Sequence, residues 1–182
     1  MLQKYALFKV LHKILEEPKE YSLRELAKKS GVAVGSAKYC ADYLYSKEIV
    51  KLRKIGRTYQ YSLNLENILT RQIKILRTLD ELLESGFVKE LIEKYSKITS
   101  IVLYGSAARG EDDPKSDIDI LIISREKVKI AGLKSEKNVR RELNLSAYTL
   151  NDWKERAKKD KVFYDRVIID GIALYGEIPK VD

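Results

Sequence analysis

Two short stretches carry the residue types that do chemistry. Tyr104 is followed by Gly105-Ser106-Ala107-Ala108-Arg109-Gly110, and Ser116-Asp117-Ile118-Asp119 opens a second apolar run. Gly-Ser is thus separated by ten residues from an Asp-x-Asp pair. A glycine after a strand lets the backbone turn tightly and approach a ligand closely. Ser106 is placed to cap a following helix and to donate its hydroxyl to a phosphate, beside the free N–H groups of that helix's first turn. Asp117 and Asp119, two apart on a strand, point to one face, with Ile118 and Ile120 facing the core. Two neighbouring carboxylates repel unless a cation sits between them, and Mg²⁺ does so while bridging to nucleotide phosphates. Arg109 is near enough in sequence to steady a triphosphate or a leaving pyrophosphate. Glu111-Asp112-Asp113 between the two stretches reads as a solvated acidic loop.

These residues need elements to hold them. Thr99–Tyr104 reads as an apolar strand before the Gly-Ser turn, and Ile118–Ile123 as its buried partner. Leu143–Thr149 reads as a further strand. Leu150–Gly176 reads as two helices and a short strand, Ile172–Tyr175. Asn151 is placed to cap the first of those helices, Trp153 packs inside, and Phe163, Val167, Ile168 and Ile169 form the core face of the second. Val88–Ser96 reads as a short helix. Leu65–Gly86 is a long amphipathic stretch that reads as a linker helix, packing on a domain or on a second subunit.

The run YGSAARGEDDPKSDIDILII resembles the nucleotidyltransferase superfamily that includes DNA polymerase beta, and most closely its minimal members, whose signature is Gly-Ser, ten residues, Asp-x-Asp. The resemblance covers about residues 87–177. It implies Mg²⁺-dependent (or Mn²⁺-dependent) transfer of a nucleoside monophosphate from an NTP, expected to be ATP, to a hydroxyl. Asp117 and Asp119 would hold metal, Gly105 and Ser106 would seat phosphates, and Arg109 would assist. The family usually carries a third carboxylate on a following strand. Here Asn144 stands in the expected place, and Glu142 shares its parity. Minimal members can modify a tyrosine on a partner toxin, which implies an antitoxin role.

The first third of the chain has a different composition. Residues 1–65 hold 13 Lys/Arg against 6 Asp/Glu, whereas residues 66–182 hold 22 against 21. Most of the net charge of +8 therefore sits in a basic module suited to a polyanion. Leu2–Leu15 has a helical stripe, ended by Pro18. Ser22 and Glu25 have the spacing of a capping box, and Gly31 ends the second helix. A third helix, Val34–Ser46, turns Ala37, Cys40, Ala41 and Leu44 inward. Ile49–Arg53 and Thr58–Leu63 alternate as a hairpin with a basic tip. Three helices plus a hairpin resemble a winged helix-turn-helix domain over residues 1–64. That resemblance implies major-groove contacts from Ser36, Lys38 and Tyr39, and phosphate contacts from Arg53, Lys54 and Arg57.

The expected fold class is α+β: a winged helix-turn-helix domain (1–64), a linker or dimerisation helix (65–86) and a nucleotidyltransferase domain with a mixed sheet and flanking helices (87–182). The expected partners are nucleotide, duplex DNA, a cognate toxin-like protein and a second copy of the chain. One cysteine, Cys40, and one histidine, His12, exclude a disulfide framework and a cysteine-rich zinc site. No apolar run is long enough to span a membrane, and no leader pattern opens the chain, so a cytoplasmic location is expected. Two other functions fit the pattern. One is a transcription regulator whose transferase-like domain only senses nucleotide. The other is modification of a small molecule such as an aminoglycoside.

Overall fold

The computed structural model describes residues 5–181. The chain divides into two compact units, Met1–Gln72 and Ile73–Asp182.

The first unit runs α1 (Ala6–Glu16), β1 (Tyr21–Ser22), α2 (Leu23–Ser30), α3 (Val34–Ser46), β2 (Val50–Ile55) and β3 (Thr58–Leu63). In α1 the stripe buries Val10, Leu11, Ile14 and Leu15. The expected start at Leu2 lies outside the described residues. Ser22 Oγ accepts from the Glu25 backbone N–H at 3.3 Å, so the first half of the expected capping box forms. Glu25 itself turns away to Lys19 Nζ, 2.8 Å distant. Gly31 closes α2 with φ of 63°, a value that suits glycine. α3 buries Ala37, Cys40, Ala41 and Leu44, the four residues its pattern predicts. The sheet order is β1-β3-β2. β2 and β3 pair antiparallel from Val50↔Leu63 to Ile55↔Thr58, leaving Gly56-Arg57 as the turn.

α4 spans Ile68–Glu84, starting three residues later than the apolar pattern suggested. Asn67 Oδ1 accepts the Leu69 N–H at 2.7 Å and so caps the helix, leaving Leu65 ahead of it.

The second unit continues with α5 (Phe87–Lys94), β4 (Ile98–Tyr104), α6 (Gly105–Arg109), β5 (Ile118–Ser124), a 3₁₀ turn (Ser135–Asn138), β6 (Leu143–Thr149), α7 (Leu150–Lys159), α8 (Lys161–Asp170) and β7 (Ile172–Tyr175). Its sheet order is β6-β5-β4-β7. β4 pairs antiparallel with β5 and β7, and β5 pairs parallel with β6. The result is an α+β unit with a mixed sheet and flanking helices. β4 and β5 are central and almost wholly buried, as expected of strands covered on both faces. Ile101, Leu103, Ile118, Ile120 and Ile122 pack on one face with Leu82, Phe87 and Leu91. Val102, Tyr104, Leu121 and Ile123 pack on the other with Trp153 and Val167.

Two local expectations are corrected. Thr149, not Asn151, caps α7: its Oγ1 accepts the Asp152 N–H at 3.1 Å, and Asn151 falls in the first turn. Ile169 is 79% exposed. The core face of α8 turns on Val167 instead, because Ile169 lies two residues, about 200° of helix, beyond it. Among the described residues no helix is long and apolar enough to cross a membrane.

Candidate active site

The site is built at the ends of the central strands. β4 ends at Tyr104, and Gly105 turns the chain with φ of 76°. A Cβ at Gly105 would overlap Asp119 Oδ2. Glycine is therefore required twice, for the left-handed backbone and for the close approach to a carboxylate. α6 follows at once. Its N-cap residue is Tyr104, in extended conformation, with no side-chain cap. Ser106 lies inside the helix rather than at its cap. This corrects the expected capping role and leaves its hydroxyl uncommitted to that task.

Asp119 sits on β5, in register with Tyr104 on β4 and with Asn144 on β6. Its neighbours Ile118 and Ile120 are fully buried on the opposite face. Asp119 is half-buried, while Asp117 is exposed. Asp117 stands one residue ahead of β5 rather than on it. Asn144 Nδ2 donates to Asp119 Oδ1 at 2.8 Å. The residue in the place of a third carboxylate thus holds the second Asp of the pair. Glu142 lies one residue ahead of β6, is exposed, and accepts the Ile118 N–H on its carbonyl at 2.8 Å. Among the described residues no three His, Cys, Asp or Glu side chains gather to hold a metal ion. Asp117, Asp119 and Glu142 therefore form no closed ligand set.

Arg109 is held by two carboxylates. Its Nε donates to Glu111 Oε2 at 2.8 Å, and its Nη1 to Asp170 Oδ2 at 3.4 Å. The bond to Glu111 leads in raising its pKa, opposed by burial, so it is a permanent cation already engaged with α8. Burial pushes the Tyr104 phenol up, and its ring meets Phe163 edge-on at 5.5 Å.

The acidic loop departs most from its sequence reading. Asp112 is 8% exposed and is not solvated. Its Oδ2 accepts from Arg141 Nη1 at 2.5 Å. Lys74 Nζ donates to its backbone carbonyl and lies 3.3 Å from its Oδ1. Arg141 Nη2 donates to Thr78 Oγ1 at 2.8 Å and to Glu81 Oε2 at 3.4 Å. An acidic triplet gives no sign of which member turns inward. The signal lay instead on α4, where polar Lys74, Thr78 and Glu81 recur every three or four residues along one face.

In the first unit, Ser36, Lys38 and Tyr39 all lie exposed on α3, as do Arg53, Lys54 and Arg57 at the hairpin. Tyr39 is 77% exposed. Lys38 Nζ is 2.5 Å from Asp42 Oδ2 on the next turn. Arg53 Nη1 lies 3.7 Å from Glu20 Oε1. Tyr43, one turn beyond Tyr39, is exposed as well, and sequence reasoning passed over it.

Residues 84–172 match the family model of the nucleotidyltransferase domain. That stretch holds the Gly105 turn, both aspartates, β6 and Arg109, and the match supports a nucleotidyltransferase domain there. No curated protein and no solved structure matches the chain.

Proposed function

We propose that the chain transfers a nucleoside monophosphate, from ATP as the expected donor, to a hydroxyl acceptor. The observation that carries this reading is the contact of the Gly105 turn with Asp119, beside the uncapped first turn of α6. The donor set fits Mg²⁺ or Mn²⁺. Asp117 and Asp119 offer hard carboxylate oxygens, and the missing Gly105 side chain lets Asp119 Oδ2 lie directly against the turn. Magnesium commonly takes only one or two protein carboxylates and completes its shell with water and phosphate. When bound, the ion would neutralise phosphate charge.

The chain's own residues divide the remaining work. Ser106 and the α6 N–H groups seat phosphate oxygens, and Arg109, held by Glu111 and Asp170, would assist the departing pyrophosphate. The acceptor oxygen forms a bond to the α-phosphorus. The bond from that phosphorus to the oxygen bridging to the β-phosphate breaks, and pyrophosphate leaves with that electron pair. The acceptor proton goes to Glu142 or to water. Asn144 donates to Asp119 rather than accepting a proton. A phenol acceptor, with an ordinary pKa of about 10, loses its proton far more readily than an alkyl hydroxyl. A tyrosine on a partner protein is therefore the acceptor that this site favours. The resembled minimal transferases suggest that this partner is a cognate toxin and the chain an antitoxin.

The first unit, as a winged helix-turn-helix, would bind duplex DNA through α3 and the basic hairpin. Its charge surplus and the exposure of Tyr39, Arg53, Lys54 and Arg57 support this. The expected place of work is the cytoplasm. Leu76 and Leu83, exposed and seven apart on α4, support a homodimer.

Labelled ATP, Mg²⁺ and the product of the neighbouring gene test the reading. Label is expected on that product. Glu142→Gln should depress transfer about 10²-fold and spare nucleotide binding, and Asn144→Asp should raise transfer. A second reading, nucleotide sensing by a DNA-bound regulator, is favoured by the amide of Asn144 standing where a base would serve. It prevails if nothing is ever labelled while ATP changes DNA affinity.

A further inference from the structure

The transfer reading assigns no task to the buried charges around Asp112. Arg141 and Asp112 side chains are 6% and 7% exposed. Burying two ions is expensive, and an apolar pair of similar volume is often at least as stable. Fold stability alone is thus a poor reason for their presence.

Their position in the chain is more telling. Asp112 lies upstream of Asp117, and Ile118 directly downstream. Asp112 is gripped by the Arg141 side chain, and the Ile118 N–H is received by the carbonyl of the next residue, Glu142. Both flanks of Asp117 are therefore fastened to one dipeptide. Between them, Asp113 and Ser116 close a short turn: the Asp113 N–H donates to Ser116 Oγ at 3.0 Å, and the Ser116 N–H to the Asp113 carbonyl at 3.1 Å. The far side of the grip is anchored on α4. Lys74 reaches Asp112, and Thr78 and Glu81 hold Arg141. Glu81 Oε1 also accepts the Arg140 N–H at 2.7 Å.

We infer that Asp112 and Arg141 are positioning residues that set the Asp117 carboxylate for the divalent cation accompanying the nucleotide. The inference rests on the transfer reading. Asp119 is placed by a central strand and by Asn144. Asp117 has no strand of its own, so its placement depends on the clamp.

The test titrates Mn²⁺ against a fluorescent, non-hydrolysable ATP analogue and reads the Mn²⁺ concentration for half-maximal binding. Supporting groups behind a metal ligand typically contribute about 10- to 100-fold to metal affinity. Asp112→Asn and Arg141→Gln should raise the midpoint about tenfold or more, and Arg141→Lys should recover part of it. A merely structural defect lowers the folded fraction, and so the signal amplitude, without moving the midpoint. If Arg141→Gln does not fold, the isosteric Asp112→Asn carries the test. Wild-type binding with unchanged midpoints in the variants overturns the positioning role and leaves the transfer reading standing. Absence of any Mn²⁺-dependent binding by the wild type overturns both.

Discussion

Both units carry exposed ion pairs, and the second also encloses a buried network of them. In the first, ion pairs such as Lys19–Glu25, Lys38–Asp42 and Lys51–Glu66 have both members well exposed. Pairs of that kind contribute about 0–1 kcal/mol and exchange readily with solvent ions. In the second, Lys74, Asp112, Glu81 and Arg141 are at least 89% buried as side chains. The same residue types therefore do two jobs. At the surface they remain open to external partners, and inside they hold a loop residue, Asp112. Net charge separates the units, but burial decides what each charge can do.

Four experiments break or sharpen that contrast. The largest effect belongs to the carboxylate on the central strand. Asp119→Asn should lower metal-dependent transfer about a thousandfold, with far-ultraviolet circular dichroism unchanged. Full activity in that variant removes the site. Gly105→Ala comes next. It combines about 1–3 kcal/mol of backbone strain with displacement of Asp119, so analogue binding should weaken about 10- to 100-fold, as read by fluorescence titration. Third, the double substitution Arg53→Ala and Arg57→Ala should weaken duplex DNA binding roughly tenfold for all sequences alike. The slope of log affinity against log salt should fall by about 1.8. A salt-independent wild type would show that the exposed charges of the first unit serve some other partner.

The smallest effect concerns Glu90, whose carboxyl is held down to about 2 by the Ser135 hydroxyl and then by the Lys134 and Ser135 backbone N–H groups. A depressed carboxyl stabilises the fold fully above its ordinary value of 4.5 and loses that contribution as pH falls towards 2. Glu90→Gln should therefore lower Tm modestly at pH 7. The gap from wild type should narrow between about pH 5 and pH 2.5 in thermal scans.

Much of this was legible from residue types. The α3 face, the hairpin, β6 and the Gly105–Asp119 neighbourhood follow from periodicity and from glycine's freedom. Local rules misplaced what several weak signals contest. Asn151 and Thr149 are both acceptable caps for α7 by type, and only the path of the chain chooses Thr149; Ser106 is acceptable too, yet Tyr104 takes the cap of α6. Ile169 is apolar and helical, yet the packing of Val167 turns it outward. Asp112 was hidden for another reason. Its partners Lys74 and Arg141 are 38 and 29 residues away, and no local window joins them.

The edge position of β6 has a consequence in time rather than in space. A parallel pair needs a long crossover, and here residues 125–142 make it largely as irregular chain. Glu90 fastens it at Lys134 and Ser135, and Lys94 at Ala131 and Gly132. β4 and β5 join antiparallel across a shorter gap and lie at the centre. Opening by fluctuation therefore starts at the edge, with β6 peeling from β5. Amides of β6 should exchange with deuterium before those of β4 and β5. Each such opening withdraws Asn144 from Asp119 and Glu142 from Ile118. On warming, the protein should lose its activity before it loses its helical signal.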